Sequence, residues 1–247
     1  MRLAGIQPGY LPWLGYFDQM RRVDVFVVAD EMQFSSTGWA HRNRVLGPDG
    51  AHWLTLPARP SARQAICDVP LDPSVPWAKS HLATLRNFYA GSPFAPDVLR
   101  ALASVLDAGA ARLVDATMPA LRLLADLLGV RTPLVVSSEV GLERSYAEQF
   151  PDKPGPTHRI IAFMKKLGAT ELLEGESGQS YLDLALCAAH GIAVTFQRYA
   201  HPVYAQVHPG CVDGAASRAP FVSHLSALDL LLSCGEREAR RVLGSVP

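Results

Sequence analysis

Residues 5–30 read GIQPGYLPWLGYFDQMRRVDVFVVAD, and this stretch decides the fold. An apolar segment, RLAGIQ, has the look of a buried strand. A turn of Pro8, Gly9, Tyr10, Leu11 and Pro12 leads into a short amphipathic helix from about Trp13 to Arg22. VDVFVVAD then forms a second, almost wholly apolar strand that ends on Asp30. Near-continuous apolar strands on either side of a helix predict neighbours in a parallel sheet covered on both faces. The turn is unusual in placing Gln7, Tyr10, Trp13 and Tyr16 where small residues would do. Gly9 and Gly15 read as positions where the backbone approaches a ligand, with Tyr10 and Gln7 reaching it. Trp13 and Phe17 read as packing the helix onto the sheet.

Working outward, RNRVLGPDGAHWLTLPA holds Pro48-Asp49-Gly50 between two alternating segments and predicts a β-hairpin. ICDVPLD reads as a short extra strand. From Pro76 to Gly129 the pattern is helical in three pieces, each stopping near a glycine. The strand-and-helix rhythm then resumes: TPLVVSSEV (strand), THRIIAFMKKLG (helix, with Thr157 as N-cap), ELLEG (strand), SYLDLALCAAHG (helix), AVTFQRY (strand) and LSALDLLLSCG (closing helix). The expected architecture is one Rossmann-like α/β domain over residues 1–247. It has a three-layer, mostly parallel sheet, a β-hairpin and a helical insertion at 76–129.

The bulk numbers narrow the function. With 247 residues, 49% of them hydrophobic, the chain needs no staples to build a core. It carries 23 basic and 23 acidic residues, which speaks against a broad nucleic-acid-binding surface. Cys67, Cys187, Cys211 and Cys234 form no CxxC pair and read as reduced core residues. No signal peptide opens the chain, and no apolar run reaches the ~18 residues of a membrane span, so the expected location is the cytoplasm. There is no metal spacing and no Walker, GxGxxG, HExxH or GxSxG motif, which leaves the cofactor unknown.

In an open parallel sheet, ligands gather at the carboxyl ends of the strands. The candidates there are Gln7 and Tyr10 after the first strand, Asp30 and Gln33 after the second, and Glu174 after ELL. EGESGQSYL, with Gly175, Gly178, Ser180 and Tyr181, precedes a helix whose N–H groups would attract an anion. In HPVYAQ, His201 is a candidate general base, with Tyr204 and Gln206 to one side. Asp229, a charge in an apolar helix, needs a basic or hydrogen-bond-donating partner; it is a candidate to orient His201, as is Glu174, or else to tie down the loop, the structural role being the favoured one. Arg42 and Arg44 fall on one face of the hairpin and suit a phosphate or carboxylate, with Asn43 on the other face. Lys79 and His81 stand near a helix start.

IQPGYLPWLGYFDQM, DVFVVADEMQF, RNRV with WLTLPA, LLEGESGQSYLD, FQRYAHPVYAQ and LSALDLLLSCG occur in the order found in the WbqC-like family, which the chain resembles from about residue 3 to 235. That family takes its name from a protein encoded among O-antigen and other polysaccharide genes, and similar proteins occur beside natural-product genes. The resemblance implies a biosynthetic transferase acting on a polar small molecule such as an amino sugar. The expected reaction is acyl or aminoacyl transfer, with a nucleotide-linked sugar or a carrier-bound acyl donor as partner. The loop from Pro209 to Pro220 looks longer than the family's usual link. A fainter likeness links PWLGY to HIGH-type nucleotidyltransferases: Trp13-Leu14-Gly15-Tyr16 keeps the spacing and glycine of HxGH but replaces both histidines. A nucleotide-dependent ligase on such a fold and a non-catalytic binding protein therefore stay open as alternatives.

Overall fold

The strand before the Gln-Pro-Gly turn, β1 (Arg2–Ile6), is central to a five-stranded sheet in this computed structural model, which describes residues 1–106, 109–208 and 221–246. After β1 come α1 (Leu14–Arg21), β2 (Val25–Val28), the hairpin β3 (Arg42–Gly47) and β4 (Gly50–Thr55), and the helices α2 (Trp77–Phe88), α3 (Ala95–Leu106) and α4 (Leu113–Leu127). Then follow β5 (Leu134–Val136), α5 (Ser137–Val140), α6 (Leu142–Gln149), α7 (Pro156–Leu167), β6 (Glu171–Glu174), α8 (Leu184–Ala189), β7 (Ala193–Phe196) and α9 (Ala227–Gly244). The class is α/β: a parallel sheet, a two-stranded antiparallel hairpin and, among the described residues, nine α-helices. None of these helices is long and apolar enough to cross a membrane.

The strands lie in the order β5-β2-β1-β6-β7 and every pair is parallel. Counted along the chain, that is third, second, first, fourth, fifth. The direction of winding reverses between β1 and β6; under the right-handed crossover rule for parallel strands, such a reversal sends the connections before and after it to opposite faces.

The chain gathers into two compact units. The first comprises Met1–Gln7, Asp18–Met32 and Arg131–Tyr199; the second comprises Pro8–Phe17, Gln33–Val130 and the described part of Ala200–Pro247. In the first, Leu3, Val27 and Leu172 of the sheet pack with Leu142, Tyr146, Ile161 and Met164 of α6 and α7. In the second, the hairpin joins a group formed by α2, α3, α4 and α9, with Leu85, Leu102, Leu124 and Leu231 fully buried.

Several local expectations are corrected. ICDVPLD is a turn of 3-10 helix (Ile66–Asp68) followed by isolated bridges, because Pro70 cannot donate to a ladder. Thr157 does not cap α7; Gly155 does, and Pro156 opens the helix. The Thr157 hydroxyl instead accepts from Asp183 N at 3.1 Å. SYLDLALCAAHG is helical only over Leu184–Ala189. The closing helix runs on to Gly244, past a break at Gly235 whose φ of 75° lies in the left-handed region. The stretch 209–220 lies outside the described residues.

Candidate functional site

Strand alternation sends the side chains of Arg42 and Arg44 to one face of the hairpin and Asn43 to the other. Trp53 is the cross-strand partner of Arg44, so it shares the arginine face. The Arg42 guanidinium lies 4.5 Å from the centre of the Trp53 ring, and that of Arg44 lies 5.8 Å from it. Trp39 meets Trp53 at 5.4 Å, and the two indoles are 53% and 47% exposed. Arg42 donates to the Thr37 carbonyl at 2.9 Å, while its Nε is buried with no hydrogen-bond partner among the described residues. Large exposed indoles beside two guanidinium groups offer flat amphipathic surface and bidentate anion donors together.

This face continues through His224. Its ring stacks on Trp13 at 5.3 Å and 26° and lies 4.9 Å from that of His201. Burial and then the Arg44 charge push the His224 pKa down. His201 sits between Phe221, at 5.7 Å, and Tyr204, at 6.4 Å. Its Nδ1 is 2.9 Å from the Pro202 carbonyl and must donate to it, which leaves Nε2 as the basic nitrogen. Burial lowers its pKa to about 4, so the ring is neutral at physiological pH.

Asp229 does not orient His201. Its carboxylate, fully buried, accepts from Tyr89 Oη at 2.5 Å, Tyr204 Oη at 2.8 Å and Gln206 Nε2 at 3.1 Å. Burial raises its pKa, against the lowering effect of those three donors. Gln206 also exchanges two hydrogen bonds of 2.9 Å with the Val222 peptide. Asp229 therefore holds the segment that carries His201 through Tyr204 and Gln206, without touching the imidazole.

Tyr10 is not at a surface: it is 0% exposed. Its hydroxyl meets His81 Nδ1 at 2.9 Å. The other nitrogen of that ring bonds the Thr55 backbone, so Nδ1 is the acceptor and Tyr10 the donor. Burial pulls the His81 pKa down to about 4. Asn43 donates to the Leu11 carbonyl at 2.9 Å and so braces a buried residue whose φ is 47°. The roles within the QPGYLPW turn are thus exchanged: Tyr10 packs, while Trp13 is half-buried against His224. Gly15 makes room for Trp13, since a Cβ there would come 2.3 Å from its ring. Lys79 is exposed and lines a cavity of about 380 Å³ with Pro76, Trp77 and Leu106, and Gln33 is exposed beside a bridge to Ala65.

In the first unit the predicted residues fall at strand ends, where their polar groups meet the fold itself. Asp30 accepts from Ser137 Oγ (2.8 Å), Ser138 N (3.0 Å) and Ser138 Oγ (2.6 Å), so it braces the turn after β5. Glu174 accepts from Gly175 N at 2.9 Å and bonds Tyr181, whose pKa is pushed up to about 12 by burial and then by the Glu174 charge. Burial raises the Glu174 pKa in turn. Gly178 leaves space for that side chain, because a Cβ would lie 2.2 Å from Glu174 Cγ. EGESGQS does not lead directly into the start of the next helix. The segment is a 3-10 turn, Ser180 Oγ donates to the Ser177 carbonyl, and the next helix is capped by the carboxylate of Asp183. Gln7, directly after β1, is exposed.

Sequence reading missed Trp39, Trp53, Phe221 and His224. Trp53 was within reach, because in HWLTL the apolar Leu54 faces inward and alternation turns Trp53 outward beside Arg44. His224 carried no signal beyond its place three residues after Phe221. Among the described residues, no group of three His, Cys, Asp or Glu side chains is placed to hold a metal ion.

The model of the WbqC-like protein family matches residues 7–241. A relative from Mycobacterium tuberculosis (strain ATCC 25618 / H37Rv), the uncharacterised protein Rv1507c, is 29% identical over 238 residues, covering 95% of this chain and 94% of its own. The chain belongs to the WbqC-like protein family.

Proposed function

We propose that this WbqC-like protein is a biosynthetic transferase that moves an acyl or aminoacyl group onto the amine of an acidic, ring-bearing small molecule, such as a nucleotide-linked amino sugar. The observation that carries the reading is the exposed indole pair, Trp39 and Trp53, with Arg42 and Arg44 against it. Indoles stack on a sugar or base ring, and paired guanidiniums hold the phosphate or carboxylate attached to it.

His201 supplies the base. In the transfer, the amine nitrogen attacks the acyl carbonyl carbon and the bond from that carbon to the donor's leaving group breaks. The amine proton passes to His201 Nε2 and from there to the leaving group. A proton-free ring at rest can accept the amine proton. Asp229 is a positioning residue, acting through Tyr204 and Gln206.

A thermal-shift screen of nucleotides, nucleotide sugars, CoA thioesters and amino acids tests the reading. The expected result is a rise of about 3 °C or more with nucleotide sugars that Arg44→Ala abolishes. A rise with ATP alone overturns it in favour of a ligase. Once a substrate pair is known, full turnover by His201→Ala overturns the role of the base.

A further inference from the structure

His224 stands in the middle of the exposed face without having been marked by its sequence context. Three observations single it out. First, its backbone φ is 59°, a left-handed conformation that a ring-bearing residue seldom adopts and that is stored where a side chain must be aimed. Second, Trp13 backs its ring in a near-parallel stack at 5.3 Å, and the Trp13 ring is itself seated over Gly15. Third, Ser223 Oγ holds Nδ1 at 2.8 Å, so the exposed imidazole is fixed at both its face and its edge. A side chain so held on a surface costs conformational freedom and buries little in return. The neighbouring segment is pinned as well: Ser226 N donates to the Arg44 carbonyl, and Ala227 N to that of Pro12, both at 2.8 Å.

We infer that His224 is a ligand-contacting residue of the arginine–tryptophan face, lying between Arg44 and His201 and binding the polar part of the molecule whose anion Arg44 holds. The inference rests on the proposed reading of that face and assigns it one more recognition group. Trp13 and Ser223 are then positioning residues, and Gly15 is small because Trp13 must fold back to support the imidazole.

The test uses the full-length protein with histidine side chains labelled for NMR, at fixed pH, titrated with UDP-N-acetylglucosamine and separately with inorganic pyrophosphate. Two variants accompany it. Gly in His224→Gly accepts the left-handed backbone, and Asn in His224→Asn tolerates it while keeping a hydrogen-bonding side chain. The expected result is a shift of the His224 ring signals with at least one probe, lost in Arg44→Ala. His224→Gly should fold with an unchanged melting temperature and bind about tenfold more weakly, with partial recovery in His224→Asn. If a probe binds and Arg44→Ala abolishes binding, but the His224 signals stay put and His224→Gly binds as tightly as the parent, the inference fails while the reading of the face survives. If neither probe binds, the reading fails and the inference with it.

Discussion

In the first unit Asp30, Asp183 and Glu174 each accept hydrogen bonds from peptide or side-chain groups of their own fold. In the second, Arg42 and Arg44 lie against an indole that is nearly half exposed, with a second exposed indole beside it. Both regions carry charged residues on or beside strands, yet in the first they accept from their own turns and in the second they lie against a half-exposed aromatic ring. The sheet belongs to a fold in which strand ends are the usual place for a ligand, but proximity to that edge does not decide the role of a side chain. What decides it is whether the donors around the side chain already belong to the protein.

Asp30→Ala should break the first unit. It leaves the buried Ser137 hydroxyl without its acceptor and takes a charged acceptor from the exposed Ser138 hydroxyl and N–H, and the expected loss is about 3 kcal/mol of stability with no change in ligand binding. Urea unfolding measures it, and a loss under about 1 kcal/mol would show that Asp30 is not a structural acceptor.

Titration tests the interior of the second unit. The unfolded chain protonates histidine near 6.5, whereas folded His81 resists until about 4. The unfolded state therefore binds more protons in this window, and stability falls as pH drops through it, by up to about 3 kcal/mol. His201 acts in the same sense, while Asp229 and Glu174, raised by burial, act in the opposite one. Unfolding midpoints of the parent and His81→Gln across this window should converge toward acid; parallel curves would mean that His81 is not held neutral.

The smallest effect on the fold is expected from the face. Trp53→Ala should change stability by less than about 1 kcal/mol while weakening UDP-N-acetylglucosamine binding about tenfold. Calorimetry and a thermal melt on the same preparation check both halves, and a large melt shift would make Trp53 a packing residue after all.

Much of this architecture was legible. The apolar runs around β1 and β2, the Pro48-Asp49-Gly50 turn and the three helices between Pro76 and Gly129 are local patterns whose periodicity and stop signals survive folding. Roles at single residues were less so. Tyr10 and Trp13 are both aromatic and lie three positions apart in one turn, so composition could not say which packs; His81, 71 residues away, settles it by receiving the Tyr10 hydroxyl. Asp229 was read correctly as needing a partner, but its partners come from Tyr89, Tyr204 and Gln206, distant in sequence.

The sequence by itself determined the α/β class, the hairpin with its two arginines on one face, and the family, because each depends on short-range order along the chain. The tertiary structure alone decided which polar groups are paired deep within the fold and which lie along a partly exposed face. The reason is physical: a hydrogen bond or a ring stack is made between groups within a few ångströms in space, and the chain brings them there from any separation in sequence.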